Sequence, residues 1–113
     1  MVDHRVIKVI ALKSFDRAVK KLLSDDDVKT LSDSLRENPE QGVVIKGTGG
    51  VRKMRVALSG RGKRGGARVI YYYVMLKARV FLITAYTKNK KDNLTDAEAR
   101  DLKRLTDQLK GDT

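Results

Sequence analysis

The residues in the middle of this chain that could do chemistry are lysines, arginines and tyrosines. The first three are the cations Lys53, Arg55 and Arg68. A phenol and three lysines follow at the end of the next apolar run, namely Tyr86, Lys88, Lys90 and Lys91. Such side chains could cleave RNA without a metal ion. That reaction needs a base for the 2′-hydroxyl proton, cations for the charged phosphorane and an acid for the leaving 5′-oxygen. A lysine crowded by other cations loses its proton more readily and becomes a candidate base, although spacing alone does not single these residues out.

The sequence lacks the residues that most other catalytic mechanisms require. The chain has no cysteine and one histidine, His4, which we expect to be an ordinary strand residue. Ser/His and Cys/His catalysis are therefore excluded, and a magnesium site would have to borrow carboxylates from outside residues 41–91. The glycine-rich segment 60–66 lacks the Gly-Lys-Ser/Thr ending of a phosphate-binding P-loop. We therefore predict no metal and no other cofactor.

The positive charge is concentrated in one part of the chain. Of the net +11, residues 41–91 contribute thirteen Lys and Arg and no Asp or Glu, whereas residues 1–40 carry eight of each and residues 92–113 carry four against six. Mixed signs are the norm on ordinary surfaces, so this block is expected to meet a polyanion. The glycine-rich segment could instead be a solvated turn. If RNA is the partner, the expected RNA-binding residues are Arg52, Arg61, Lys63, Arg64, Lys90 and Lys91.

Hydrophobic periodicity predicts a single α+β domain over residues 1–113. We expect an antiparallel sheet of three to four inner strands plus an N-terminal edge strand at residues 2–10, with two N-terminal helices and one C-terminal helix. Ser14, Ser24 and a Thr95–Glu98 capping box are the predicted helix starts. Alternation places Lys53 and Arg55 on one face of their strand, and the helices are expected to cover the other face of the sheet.

Several motifs together resemble a known family. They are Gly-Thr-Gly-Gly-Val-Arg-Lys-Met-Arg at 47–55, the glycine-rich segment 60–66, Ala-Arg-Val-Ile-Tyr-Tyr at 67–72 and Leu-Ile-Thr-Ala-Tyr-Thr-Lys-Asn at 82–89. With Asn-Pro-Glu-Gln-Gly at 38–42, the chain resembles the RelE/HigB toxins of type II toxin–antitoxin systems. It is most similar to their HigB-2-like branch.

The resemblance implies a microbial-RNase-like fold and a metal-independent endoribonuclease, an mRNA interferase that cleaves mRNA in the A site of the 70S ribosome and inhibits translation. It also implies a cytoplasmic protein with no membrane partner, neutralised by a cognate antitoxin that is usually a helix-turn-helix, HigA-like protein. By position, Lys53 matches the family's base, Arg55 a phosphate ligand and Arg68 the arginine that stabilises the transition state. Lys88 falls in the basic motif at the end of the last strand, two residues after Tyr86.

The general acid and the activity each have alternatives. Asn89 follows Lys88 where some members have arginine, and no tyrosine follows Lys91, so Lys90, Lys91 and Tyr86 all remain candidate acids. The same fold hosts ParE toxins, which inhibit DNA gyrase, and a basic domain can also bind RNA without cleaving it. The antitoxin is expected to cover the basic face with an acidic segment or to order one terminus.

Overall fold

The computed structural model describes residues 6–58, 66–87 and 93–111. These residues form strands β1 (Lys8–Ala11), β2 (Val43–Val44), β3 (Arg52–Val56), β4 (Ala67–Val74) and β5 (Arg79–Thr87), and helices α1 (Lys13–Val19), α2 (Asp25–Glu37) and α3 (Asp96–Gly111). The sheet order is β1-β5-β4-β3-β2. The predicted α+β fold with an N-terminal edge strand is therefore confirmed, although β1 runs parallel to β5 and the other pairs are antiparallel. The predicted strand residue His4 lies outside the described residues.

One face of the sheet packs against α1 and α2. The apolar stripes of these helices meet the inward side chains of β4 and β5 in one buried cluster, which includes Phe15, Leu35, Val69, Tyr71 and Leu82. Helical spacing in the helices and alternation in the strands give each element one apolar side toward this cluster. Burial of this cluster is expected to be a main source of the fold's stability.

The opposite face of the sheet is covered in part by α3. Leu102, Leu105 and Leu109 pack against a second cluster that includes Tyr72 and Phe81. The prediction that the helices cover only one face was therefore wrong. The reason is that β4 is apolar on both faces, so the α3 leucine stripe had two surfaces available to it. None of the described helices has the length and apolarity needed to span a bilayer.

The helix starts follow local hydrogen-bonding chemistry. The predicted cap at Ser24 is confirmed, because its hydroxyl accepts a hydrogen bond from the Asp27 amide and the Asp27 carboxylate accepts one from the Ser24 amide. The Thr95–Glu98 capping box is confirmed in the same way. Ser14 was wrongly predicted as a cap: α1 begins after Leu12, and the Ser14 hydroxyl donates instead to the Ile83 carbonyl of β5.

A β-bulge interrupts β5. Ile70 pairs with Thr84, but its neighbour Tyr71 pairs with Leu82, so Ile83 is an extra residue without a partner on β4. An extra residue inverts the alternation of the bulged strand beyond it. As a result, Phe81 and Tyr86 both contact the cluster beneath α3 although their positions differ by an odd number.

Candidate active site

The three strands β3, β4 and β5 bring Arg55, Arg68 and Tyr86 into one cross-strand row. Arg55 pairs with Arg68, and Arg68 pairs with Tyr86. Directly opposed residues in an antiparallel sheet project to the same face, with Cβ atoms about 5 Å apart. We call these three residues the cation row. It lies at the end of the sheet where β4 begins and β5 ends.

A second row of side chains lies next to the cation row and carries Lys53. Along this row Val43 pairs with Lys53, Lys53 with Ile70 and Ile70 with Thr84. The predicted shared face of Lys53 and Arg55 is confirmed by this register. Ile70 is fully buried, whereas Lys53 and Thr84 are half-buried. Lys53 therefore lies two residues from Arg55 along β3 and diagonally across from Arg68 on β4.

The α3 helix leaves these cations accessible. It packs over the next row, where Val51 and Tyr72 are buried, whereas Arg55 is exposed and Arg68 is half-buried. Within residues 6–58, 66–87 and 93–111, no carboxylate forms an ion pair with Lys53, Arg55 or Arg68. Three neighbouring cations without counterions attract an anion such as a phosphodiester. In the same part of the chain, no cluster of His, Cys, Asp and Glu has the makings of a metal site.

Local structure positions the two outer members of the cation row. The bulge places Tyr86 on this face, since strict alternation from Phe81 would direct it to the other side. Gly66 lies beside Arg55, and a Cβ there would be 3.7 Å from the arginine Cγ and 3.5 Å from the Val56 carbonyl. The stem of Arg55 therefore rests against backbone, which limits where its guanidinium can go.

Arg52, predicted to bind RNA, is placed away from the other cations. Its guanidinium donates to the Gly42 carbonyl at 2.7 Å and the Glu40 carbonyl at 3.0 Å, and lies 3.6 Å from the Glu40 carboxylate. Alternation turns it to the face opposite Lys53. In this structure Arg52 holds the segment before β2. The other predicted residues, Arg61, Lys63, Arg64, Lys88, Lys90 and Lys91, lie outside the described residues.

Tyr71 anchors the same segment from below. Its buried hydroxyl donates to the Pro39 carbonyl and accepts from the Gly42 amide, both at 2.8 Å. Burial raises the pKa of Tyr71, against a lowering by the Gly42 hydrogen bond and by nearby Arg52. The phenol is thus held neutral, as these two hydrogen bonds require. Through β2, this anchor fixes the edge of the sheet next to Lys53.

The Gly-Thr-Gly-Gly loop before β3 docks α3. The Thr106 hydroxyl, fully buried, donates to the Thr48 carbonyl at 3.0 Å. Thr48 in turn closes its own loop, because its hydroxyl donates to Ile45 and accepts from the Val51 amide. Gly49 has a φ of +78° and passes so close to Thr106 that a Cβ would lie 2.6 Å from its hydroxyl oxygen. The loop therefore sets how far α3 extends over the sheet.

A groove opens between β5 and the N-terminal half of α3. Its lining residues are Thr84, Leu94, Glu98, Asp101, Leu102 and Leu105. Thr84 belongs to the row of Lys53 and lies two residues from Tyr86 along β5, so the groove adjoins the cation row. None of these six residues was among the predicted site residues. No sequence pattern pointed to them, because the face that α3 covers decides which α3 side chains meet β5.

Comparison with known proteins agrees with this architecture. A family model described as the RelE toxin of the RelE/RelB toxin–antitoxin system matches residues 7–112. The solved structure of the E. coli toxin RelE, an arginine-to-alanine double mutant in the free state, is similar with a TM-score of 0.55. It has 19% sequence identity, over 86% of this chain and 97% of that chain, a level at which the likeness shows the fold alone. Because the family match spans nearly the whole chain, this protein belongs to the RelE toxin family.

Proposed function

We propose that this toxin is a ribosome-dependent mRNA endoribonuclease that cleaves the message in the ribosomal A site and needs no metal ion. The observation that carries the proposal is the group formed by the cation row and Lys53. It unites three cations without carboxylate partners among the described residues, on a face that α3 leaves accessible, with the phenol of Tyr86, whose hydroxyl is buried. This set supplies charge stabilisation and proton transfer at a single phosphodiester.

Each side chain has a proposed role. Lys53 takes the proton of the 2′-hydroxyl, and the 2′-oxygen attacks the adjacent phosphorus. Arg55 holds a non-bridging phosphate oxygen, and Arg68, flanked by Arg55 and Tyr86, neutralises the charge that develops on the phosphorane. The bond to the 5′-oxygen breaks, leaving a 2′,3′-cyclic phosphate and a 5′-hydroxyl. Tyr86, Lys88, Lys90 and Lys91 are the candidate donors of the proton to the 5′-oxygen.

The ribosome would supply what this surface lacks. The cation row lies on a sheet face that α3 leaves accessible, so the described residues do not enclose the scissile phosphate in a cleft. Ribosomal RNA in the A site would fix the codon against this face, which accounts for a dependence on the ribosome and places the action in the cytoplasm. Within the family we assign the protein to the HigB-2-like branch, with a helix-turn-helix, HigA-like antitoxin as its partner.

The deciding experiment is primer extension on a reporter mRNA incubated with the purified protein, with and without translating 70S ribosomes. Arg68→Ala is expected to lower the cleavage rate by about 100-fold or more, the usual effect of removing one transition-state ligand. The matched control is Arg79→Ala, which removes an equally charged, half-buried arginine from the opposite end of the same sheet. This control should cleave at the wild-type rate.

Other results would point to other functions of the fold. Growth arrest without any cut, together with inhibition of DNA supercoiling, would indicate a ParE-like gyrase inhibitor and refute the nuclease proposal. A loss of ribosome affinity in Arg68→Ala, with no cleavage by the wild type, would indicate an RNA-binding protein without catalysis.

A further inference from the structure

The groove between β5 and α3 is more apolar than its position beside three cations would suggest. Leu94, Leu102 and Leu105 form most of its walls, and Thr84 closes it on the side of the sheet. The two acidic residues, Glu98 and Asp101, stand at the α3 side. Mainly apolar walls with a few polar atoms among them suit a planar aromatic ligand that carries hydrogen-bonding groups on its edge.

We propose that this groove binds the nucleobase next to the scissile phosphate and prefers a base with an exocyclic amino group over uracil. The inference rests on the proposed nuclease function and adds a specificity-determining site to it. We infer a nucleobase as the ligand because the groove adjoins the cation row. A nucleotide whose phosphate is held by Arg55 and Arg68 has its own base within reach of the groove.

The distance along β5 supports this arrangement. Thr84 lies two residues before Tyr86 on the extended strand, so the groove is about 7 Å from the cation row. That is the scale of one nucleotide, from phosphate to base. Both residues project to the same face because the bulge precedes them. A base leaving the phosphate site toward α3 therefore passes over Thr84 and enters between the leucines.

The acidic side of the groove sets the preference. Glu98 accepts a hydrogen bond from the Thr95 amide, and Asp101 accepts one from Arg104, an ion pair with both side chains more than two-thirds exposed. The Asp101 carboxylate has two oxygens and about four acceptor positions, so it can also accept from a ligand. Guanine, adenine and cytosine offer amino hydrogens. Uracil presents two carbonyl oxygens beside a single N–H, and those oxygens would be repelled.

The direct test is an NMR titration of the whole protein with the four nucleoside 5′-monophosphates and with inorganic phosphate. We expect the methyl signals of Leu102, Leu105 and Thr84 to shift with GMP, AMP and CMP, and to require about fivefold more UMP. Inorganic phosphate should shift only signals near the cation row. If no nucleotide moves the three methyl signals, or if all four do so equally, the groove is not a base-reading site.

A matched pair of substitutions tests the preference during cleavage. Asp101→Asn replaces an acceptor-only group by one that also donates, so the roughly fivefold preference for amino-bearing bases over uracil is expected to disappear beside the cut. The control Asp107→Asn removes another ion-paired carboxylate of α3, 57% exposed against 72% for Asp101, that does not line the groove. This control should keep the wild-type base preference and the total cleavage rate.

The outcomes separate the two proposals. Cleavage by Asp101→Asn with the wild-type base preference would overturn the groove assignment and leave the nuclease proposal standing. No cleavage by any variant would refute the nuclease proposal, whereas the titration would still decide whether the groove holds a base.

Discussion

Replacing Gly49 by alanine tests how tightly α3 is seated on its docking loop. The new Cβ would lie 2.6 Å from the Thr106 hydroxyl oxygen and 3.0 Å from Lys103 Cδ. The lysine can swing away, because its side chain is half exposed. Thr106 cannot move as easily, since it is fully buried and its hydroxyl lies within hydrogen-bonding distance of two backbone carbonyls. We therefore expect either α3 or the loop to shift.

The expected loss of unfolding free energy for Gly49→Ala has two contributions, and Gly47 provides a control for one of them. A left-handed backbone conformation costs an alanine about 1 kcal/mol relative to glycine. Overpacking against a buried group adds roughly 1–3 kcal/mol, so Gly49→Ala is expected to lose about 2–4 kcal/mol of unfolding free energy. Gly47 has nearly the same φ, +81° against +78°, but a Cβ there meets nothing within 4 Å. Gly47→Ala should therefore lose only about 1 kcal/mol.

Urea unfolding followed by circular dichroism measures both variants. The change that alanine makes to the unfolded chain is the same at both positions, so it cancels in the difference between them. Equal losses for Gly47→Ala and Gly49→Ala would refute the close approach of the loop to Thr106. That result would also refute the inference that this loop positions α3.

Two further predictions concern the tyrosines. Tyr71→Phe should lower the unfolding free energy by about 1–3 kcal/mol in urea, because it leaves the buried Gly42 amide without its acceptor, whereas Tyr73→Phe on the same strand should have little effect. Burial also raises the pKa of Tyr71 and, chiefly through burial as well, that of Tyr72. The pKa of a tyrosine in the unfolded chain is near 10, and the folded pKa values of Tyr71 and Tyr72 are higher. The stability that the two neutral phenols contribute is therefore fully present below pH 10 and is lost as the pH rises through their folded pKa values. Stability that did not fall above pH 10 would contradict this.

Much of the fold could be predicted because local chemistry determines it. Capping at Ser24 and Thr95 and the alternation that puts Lys53 with Arg55 need only neighbouring residues. The face that α3 covers could not be predicted, since Ile70 and Tyr71 make both sides of β4 apolar. The wrong cap at Ser14 has a similar cause, because its partner, the Ile83 carbonyl, lies 69 positions away.

The site was predicted in part for the same reasons. Residue types and the family resemblance pointed to Lys53, Arg55, Arg68 and Tyr86, and the strand register places them together. Arg52 looked like one more surface cation, but its carbonyl partners at Glu40 and Gly42 become visible only once β2 is paired. The groove forms where α3 packs against β5, and no local sequence pattern encodes this tertiary contact.

The bulge at Ile83 has a consequence for sequence comparison within the family. Deleting that one residue would restore an unbroken alternation through β5 and would leave Ala85 and Tyr86 on the faces that they now occupy, because their partners on β4 stay the same. A bulged and an unbulged strand can therefore present the same side chains to the same faces while differing by one residue in length. Relatives should be aligned across β5 with a gap allowed at this position, since an ungapped alignment between a bulged and an unbulged chain would match candidate-site positions with core positions.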